Sequence, residues 1–214
     1  MAWPDLQRTA LAASGLLGVP IRLGAARRPL RPSALTVGEA ARWRALPPGP
    51  RRSDWLLGRA ALRRLLGPGD SDTSALSFPH RRLSLTHAGG VAFAVACDTP
   101  VGGVGIDFEP VRATVDPRAG RFFLQPAEQD WLAGLPERWR ARALLRLWTA
   151  KEALYKATPD NGGALLGDYR LADPGAACGQ ASGPGAGTLR YVAVALDAGP
   201  LAVAVREVSL DGPV

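Results

Sequence analysis

The sequence predicts an α+β fold made of two similar halves in the manner of a duplicated unit, each a small, mostly antiparallel sheet packed on a long helix. Two apolar segments of period two, around residues 83–97 and 191–205, are each split by a turn and therefore predict β-hairpins. A helical pattern precedes each hairpin, at residues 36–66 and 121–157. The 214 residues, 47% of them hydrophobic, are enough to build the cores of one large domain or two small ones.

The first 35 residues are rich in arginine and proline, and their short apolar stretch, Val19–Leu23, predicts a strand. A helical pattern follows from residue 36. Thr36 and Glu39 have the spacing of a capping box, which predicts that a helix begins there.

The prolines and the glycine of residues 47–50 interrupt this helical pattern. A second helix is predicted over Trp55–Leu66, where Ser53 or Asp54 can cap its start. Residues 67–69, which are Gly-Pro-Gly, end it.

A change of period at Leu83 marks the first hairpin. Residues 83–87 alternate between apolar and polar, residues 88–90 form a turn, and Val91–Cys97 predicts the returning strand. Another strand is predicted over Val104–Glu109.

The second half repeats this order of elements. Residues 121–157 are predicted to be helical, and the last helix, Trp139–Ala157, is the longest. Residues 191–196 and 201–205 predict a closing hairpin. Between helix and hairpin, the Gly-, Ala- and Pro-rich residues 173–187 predict a loop.

The composition restricts the function. The 26 basic and 19 acidic residues give a net charge of +7, which favours an anionic partner such as nucleic acid, a phosphate-bearing substrate, an acidic protein or a membrane surface. Cys97 and Cys178 are too few for a disulfide scaffold or a cysteine-based zinc site, and two histidines cannot form a histidine-rich metal centre. No apolar run is long enough to span a membrane and no secretory pattern is found, so we expect a cytoplasmic protein.

Asp107 and Glu109 lie two residues apart on the predicted strand 104–109 and therefore share one face, opposite Ile106 and Phe108. Two carboxylates on a half-buried face need a cation, and oxygen ligands suit Mg²⁺. The alternative interpretation is that Asp107 and Glu109 only form a solvent-exposed acidic face of the strand and bind no metal.

Glu152 falls inside the apolar stripe of its predicted helix, where a carboxylate is costly unless it is paired or bound to a metal. Lys156 follows one turn later. Only two of the 26 basic residues are lysines, Lys151 and Lys156, which indicates positions where a planar guanidinium cannot replace a compact ammonium.

Two segments together resemble the paired motif of the 4′-phosphopantetheinyl transferases: GIDFE at residues 105–109 and WTAKEALYK at residues 148–156. The segment Leu83–Gly89 resembles the strand of this family that carries a Ser-His pair, and Gly58–Leu66 resembles its N-terminal Gly-Arg helix. The order and spacing are similar to those of the larger type, which has two subdomains in one chain.

This resemblance implies transfer of the phosphopantetheine arm of coenzyme A to a serine of an apo acyl or peptidyl carrier protein, with release of adenosine 3′,5′-bisphosphate. The active site would lie between a subdomain of residues 1–110, with the CoA-phosphate-binding elements and the first metal carboxylates, and a subdomain of residues 111–214, with the WxxKExxxK helix. Carrier proteins of fatty acid or secondary metabolite synthesis are acidic, which would suit a basic enzyme.

The resemblance also implies residue roles. Mg²⁺ would bind to Asp107, Glu109 and Glu152, and Lys156 would neutralise the transferred phosphate. The implied catalytic residues are Glu152, Lys156 and Asp107, with either Glu152 or a metal-bound water as the base. The residues implied to bind coenzyme A are Thr86, His87, Lys156, Arg42 and Arg59.

The chain departs from the family pattern at several positions. Thr86 stands where serine is common and keeps the hydroxyl, whereas Ala88 replaces a second serine and loses one. Residues 77–81 contain no lysine where the family has Gly-Lys-Pro, so His80, Arg81 or Arg82 would contact the phosphate instead, or this contact is absent.

Two other functions stay open on the sequence. The charge could serve nucleic-acid binding, but the chain has no recognised binding motif and this function leaves Glu152 unexplained. The same acidic trio could serve a metal-dependent phosphohydrolase acting on a CoA-like nucleotide. We expect neither nucleic acid nor membrane as a partner, and we expect a monomer because both halves lie in one chain.

Overall fold

The computed structural model describes residues 6–67, 72–112, 115–185 and 187–208. The helices are α1 (Leu6–Leu17), α2 (Val37–Ala45), α3 (Pro50–Leu66), α4 (Gly120–Phe123), α5 (Pro126–Gly134) and α6 (Glu137–Lys156). The strands are β1 (Ile21–Ala26), β2 (Leu83–Ala88), β3 (Val91–Cys97), β4 (Gly103–Phe108), β5 (Arg170–Leu171), β6 (Cys178–Ser182), β7 (Leu189–Leu196) and β8 (Gly199–Arg206). They form two antiparallel sheets, so the predicted α+β class is confirmed.

The first sheet has three strands in the order β1-β3-β2, and α3 packs on its outer face. Its central strand, β3, is buried on both sides, which explains its continuous apolar sequence. The alanines at 92, 94 and 96 belong to the core under α3, where small side chains let the helix approach. Phe93, Val95 and Cys97 belong to the core between the two sheets.

The second sheet has five strands in the order β4-β8-β7-β6-β5, and α6 packs against β4, β7 and β8. Ile106 and Phe108 of β4 enter the core between the sheets, as their alternation predicts. The rings of Phe93 and Phe108 lie 4.9 Å apart across this core. The layers are therefore α3, first sheet, second sheet and α6.

Strand β4 precedes residue 110 in the chain but belongs to the sheet of the second half. It pairs with β8, and Asp107 lies opposite Ala202. The sheets also differ in size, with three and five strands. The division into residues 1–110 and 111–214 stays a prediction.

Several element boundaries differ from the sequence prediction. Helix α1 was not predicted, and the first strand begins at Ile21 and extends to Ala26. Helix α3 begins at Pro50, because proline is well suited to the first helical position, rather than at Trp55. The predicted loop 173–187 contains β6. No helix in the described ranges is long and apolar enough to cross a membrane.

Candidate active site

Two glycines bring β4 into contact with the backbone of α6. A methyl group at Gly105 would lie 1.9 Å from the carbonyl oxygen of Ala153, and one at Gly103 would lie 2.1 Å from that of Ala157. Because side chains alternate along a strand, Asp107 lies on the same face as these glycines. The sequence GxGxD therefore places a carboxylate beside the last turn of α6.

Asp107 is the centre of the cluster, and it is only 4% exposed. Its Oδ1 accepts a hydrogen bond from Lys156 Nζ at 2.6 Å and another from Thr86 Oγ1 at 3.0 Å. Its Oδ2 is buried and has no hydrogen-bond partner. Residues from β2, β4 and α6 thus meet at one carboxylate.

The edges of the two sheets are joined at this point. The backbone N–H of Ile106 in β4 donates to Ser84 Oγ of β2 at 3.2 Å, so a side chain satisfies an edge-strand donor. An open cleft of about 290 Å³ lies between β2 and the end of α6. Its lining includes Phe78, His80, Leu83, Tyr155 and Lys156.

Glu109 follows β4 and is fixed by Trp148. The indole Nε1–H of Trp148 donates to Glu109 Oε1 at 3.1 Å, and the indole packs edge-on against Phe123 with centroids 5.1 Å apart. Burial raises the pKa of Glu109, and the charge of Asp107 raises it further.

Glu152 is half-buried on α6. Its pKa is raised mainly by burial, which the repulsion from Asp107 and Glu109 reinforces and the attraction of Lys156 opposes. The three predicted metal carboxylates therefore interact electrostatically. As placed, however, the described residues contain no group of three His, Cys, Asp or Glu side chains arranged to hold a metal ion.

Lys151, beside Glu152, is the more deeply buried of the two lysines. Its Nζ lies 2.6 Å from Glu128 Oε2 and donates to the carbonyl oxygen of Tyr169 at 2.6 Å, and neither charged side chain is appreciably exposed. Burial lowers the pKa of Lys151, while Glu128 opposes this change. Glu128 also accepts from the backbone N–H groups of Gln125 and Leu171. This network joins α5, α6 and β5.

The sequence analysis did not identify Glu128, and it placed Glu152 inside the apolar stripe of the helix. The most buried face of α6 instead includes Leu147, Ala150 and Lys151, and Glu152 lies at its edge. The rarity of lysine indicated that Lys151 is special, but no sequence pattern shows its partner.

Arg42 and Arg59, the two arginines predicted to bind coenzyme A, interact with residues 73–76 and not with the acidic cluster. Arg59 is buried, donates to the carbonyl oxygen of Thr73 at 2.9 Å and stacks over Trp55. Arg42 donates to the carbonyl oxygens of residues 74 and 76. Burial lowers the pKa of Arg59, and the charge of Arg42 lowers it further, so the two cations act on each other.

The hydrogen bonds of both arginines go to residues 73–76, and within the described ranges neither arginine forms a hydrogen bond with Asp107, Glu109 or Glu152. His87 is exposed on β2, next to the buried Thr86. Of the basic residues that could replace the missing lysine, Arg81 forms an exposed ion pair with Asp160 and His80 lines the cleft.

Comparison with known proteins agrees with this geometry. Residues 103–176 match the family model of the 4′-phosphopantetheinyl transferase superfamily, which confirms the family resemblance over that segment. The chain is also similar to the 4′-phosphopantetheinyl transferase HetI of Nostoc sp. (strain PCC 7120), with 44% identity over 71 residues. That alignment covers 32% of this chain and 29% of the relative.

Proposed function

We propose that this protein, whose residues 103–176 match the 4′-phosphopantetheinyl transferase superfamily, transfers the phosphopantetheine arm of coenzyme A to a serine of an apo carrier protein. The observation that carries the proposal is the meeting of Asp107, Lys156 and Thr86 beside an open cleft, with Glu152 close enough for the charges of Asp107 and Glu109 to raise its pKa. This arrangement suits a reaction in which phosphate charge must be neutralised.

Asp107, Glu109 and Glu152 are the residues that we propose to hold Mg²⁺. Carboxylate oxygens are the ligands that this ion prefers, and Asp107 Oδ2 is a buried acceptor with no donor of its own. When bound, Mg²⁺ would neutralise charge on the pyrophosphate of coenzyme A. The carboxylates must approach one another for this role, because as placed they do not form a ligand set.

The cleft supplies the proposed binding place for coenzyme A. Phe78, Leu83 and Tyr155 give it apolar walls, and Lys156 places an ammonium at its edge. Lys156 would donate to a phosphate oxygen, and Thr86 and His87 would contact the phosphates from β2. Arg42 and Arg59 would have to bind a more distant phosphate, because their hydrogen-bond partners are residues 73–76 and not residues of the acidic cluster.

Glu152 is the proposed base. Glu152 interacts with Asp107, Glu109 and Lys156, so it belongs to the proposed reaction centre and can accept the proton of the carrier serine. The serine oxygen then bonds to the phosphorus that carries pantetheine. The bond from this phosphorus to the bridging oxygen breaks, and adenosine 3′,5′-bisphosphate leaves with the electron pair. The net charge of +7 would favour encounter with an acidic carrier protein.

Release of adenosine 3′,5′-bisphosphate from coenzyme A and Mg²⁺, followed by liquid chromatography, tests this function. We expect release only when an apo carrier protein is present, and we expect Asp107→Asn and Glu152→Gln to abolish it while the far-UV circular dichroism stays unchanged. Asp98→Asn, at an exposed ion pair on the first sheet, is the matched control. Release without any carrier would indicate a phosphohydrolase and overturn the proposal.

A further inference from the structure

Lys156 occupies the position of a cation at Asp107. We propose that Lys156 is a built-in counter-ion that competes with the divalent metal for Asp107, so that the metal binds tightly only after a phosphate of coenzyme A has drawn the ammonium away. This inference rests on the proposed function, because it concerns the same carboxylates and the same ligand.

The contacts of Asp107 support this competition. Lys156 Nζ and Thr86 Oγ1 both donate to Oδ1, so a metal ion on the donor-free Oδ2 would share one carboxylate with the ammonium. A metal ion bound to Asp107 would bring two positive charges close to an ammonium that lies 2.6 Å from the same carboxylate. Because the two cations repel each other at that distance, each weakens the binding of the other to Asp107.

The Lys156 side chain also has space to move, because it lines the open cleft. It is 29% exposed, whereas that of Asp107 is 6% exposed. A flexible, partly solvated ammonium can turn from the carboxylate to a phosphate in the cleft without unfolding α6. The phosphate thus removes the competitor and supplies the new partner in one step.

The two binding events are then linked. If coenzyme A raises the affinity for metal, the metal must raise the affinity for coenzyme A by the same factor. The protein would hold little metal when coenzyme A is absent, and the three carboxylates would be neutralised in part by Lys156 alone. Lys156 thus adds to any linkage that comes from direct contact between the metal and the phosphates of coenzyme A.

The test is a titration of the protein with Mn²⁺, monitored by the loss of the electron paramagnetic resonance signal of free Mn²⁺. Each titration is run without and with coenzyme A, and Mn²⁺ with coenzyme A alone is subtracted. We expect Lys156→Met to bind Mn²⁺ alone roughly tenfold or more tightly than the wild type, and to gain less from coenzyme A. Lys156→Arg keeps the charge and should bind Mn²⁺ alone as weakly as the wild type.

Arg22→Gln is the control for net charge, since it removes one cation from an ion pair with Asp98 on the first sheet. It should leave Mn²⁺ binding unchanged. If Lys156→Met binds Mn²⁺ alone no more tightly than the wild type, while coenzyme A still promotes Mn²⁺ binding, the counter-ion role is wrong and the proposed function stands. If no variant binds Mn²⁺ even with coenzyme A, both are overturned.

Discussion

The buried ion pair between Lys151 and Glu128 yields a quantitative prediction about stability. Its nitrogen and oxygen lie 2.6 Å apart, and both side chains are almost completely excluded from solvent. Lys151→Met would leave the Glu128 carboxylate buried and without its cation, although two backbone N–H groups would still donate to it. Removing one partner of a buried pair costs about 3–5 kcal/mol, a large part of the free energy of unfolding of an ordinary domain.

A double-mutant cycle separates the pair from its surroundings. Lys151→Met combined with Glu128→Gln removes both charges, and the amide oxygen can still accept one of the two backbone hydrogen bonds. We expect the double variant to lose about 1–3 kcal/mol, less than Lys151→Met alone, since no uncompensated charge remains. Urea denaturation followed by tryptophan fluorescence measures these values, provided that the slopes with urea agree.

The exposed pair Arg81–Asp160 provides a matched control, because its atoms are 2.7 Å apart but its side chains are largely in solvent. Arg81→Met should change the free energy of unfolding by less than about 1 kcal/mol. The reasoning would be refuted if Lys151→Met cost no more than Arg81→Met, or if the effects of the two changes in the cycle were simply additive.

Three further predictions concern the site itself. Gly105→Ala should destabilise the protein by about 1–3 kcal/mol and reduce transfer sharply, because the new methyl group would clash with the Ala153 carbonyl oxygen and push α6 away. Thermal unfolding measures the loss of stability, and initial rates measure the loss of transfer. Trp148→Phe keeps the packing but loses the hydrogen bond to Glu109, so kcat/KM should fall roughly five- to tenfold, and an unchanged value would contradict this role. The pKa of Glu152 is raised in the folded protein, so between the ordinary and the raised value the folded protein binds more protons than the unfolded chain, and stability falls as pH rises through that window. Glu152→Gln removes this loss. In EDTA, its Tm should therefore exceed that of the wild type at about pH 7.5, and by a smaller margin at about pH 5.

Local signals in the sequence predicted the elements that position the site. The Thr36–Glu39 capping box is present with both of its hydrogen bonds, and strands β2 and β3 begin and end within a residue of their predicted limits. The alternation of β4 correctly separated Ile106 and Phe108 from Asp107. These features depend on near neighbours in the chain, which is why a sequence pattern records them.

Contacts between distant residues could not be predicted in the same way. The buried residues of α1, Thr9, Ala13 and Leu17, recur every four positions, but the proline and arginine content of the first 35 residues concealed this helix. Strand β6 is held by backbone pairing to β7, so its Gly- and Ala-containing sequence carries no clear β pattern. The partner of Lys151 lies 23 residues away in another helix, at Glu128, and only packing brings them together.

Intact-mass spectrometry of an apo carrier protein, incubated with this protein, coenzyme A and Mg²⁺, tests the central claim most directly. The proposed function predicts that the carrier gains the mass of one phosphopantetheine arm, and that EDTA or Asp107→Asn prevents the gain. An unchanged mass across fatty acid, polyketide and peptide carrier proteins, all of which a known transferase modifies in parallel, would contradict it.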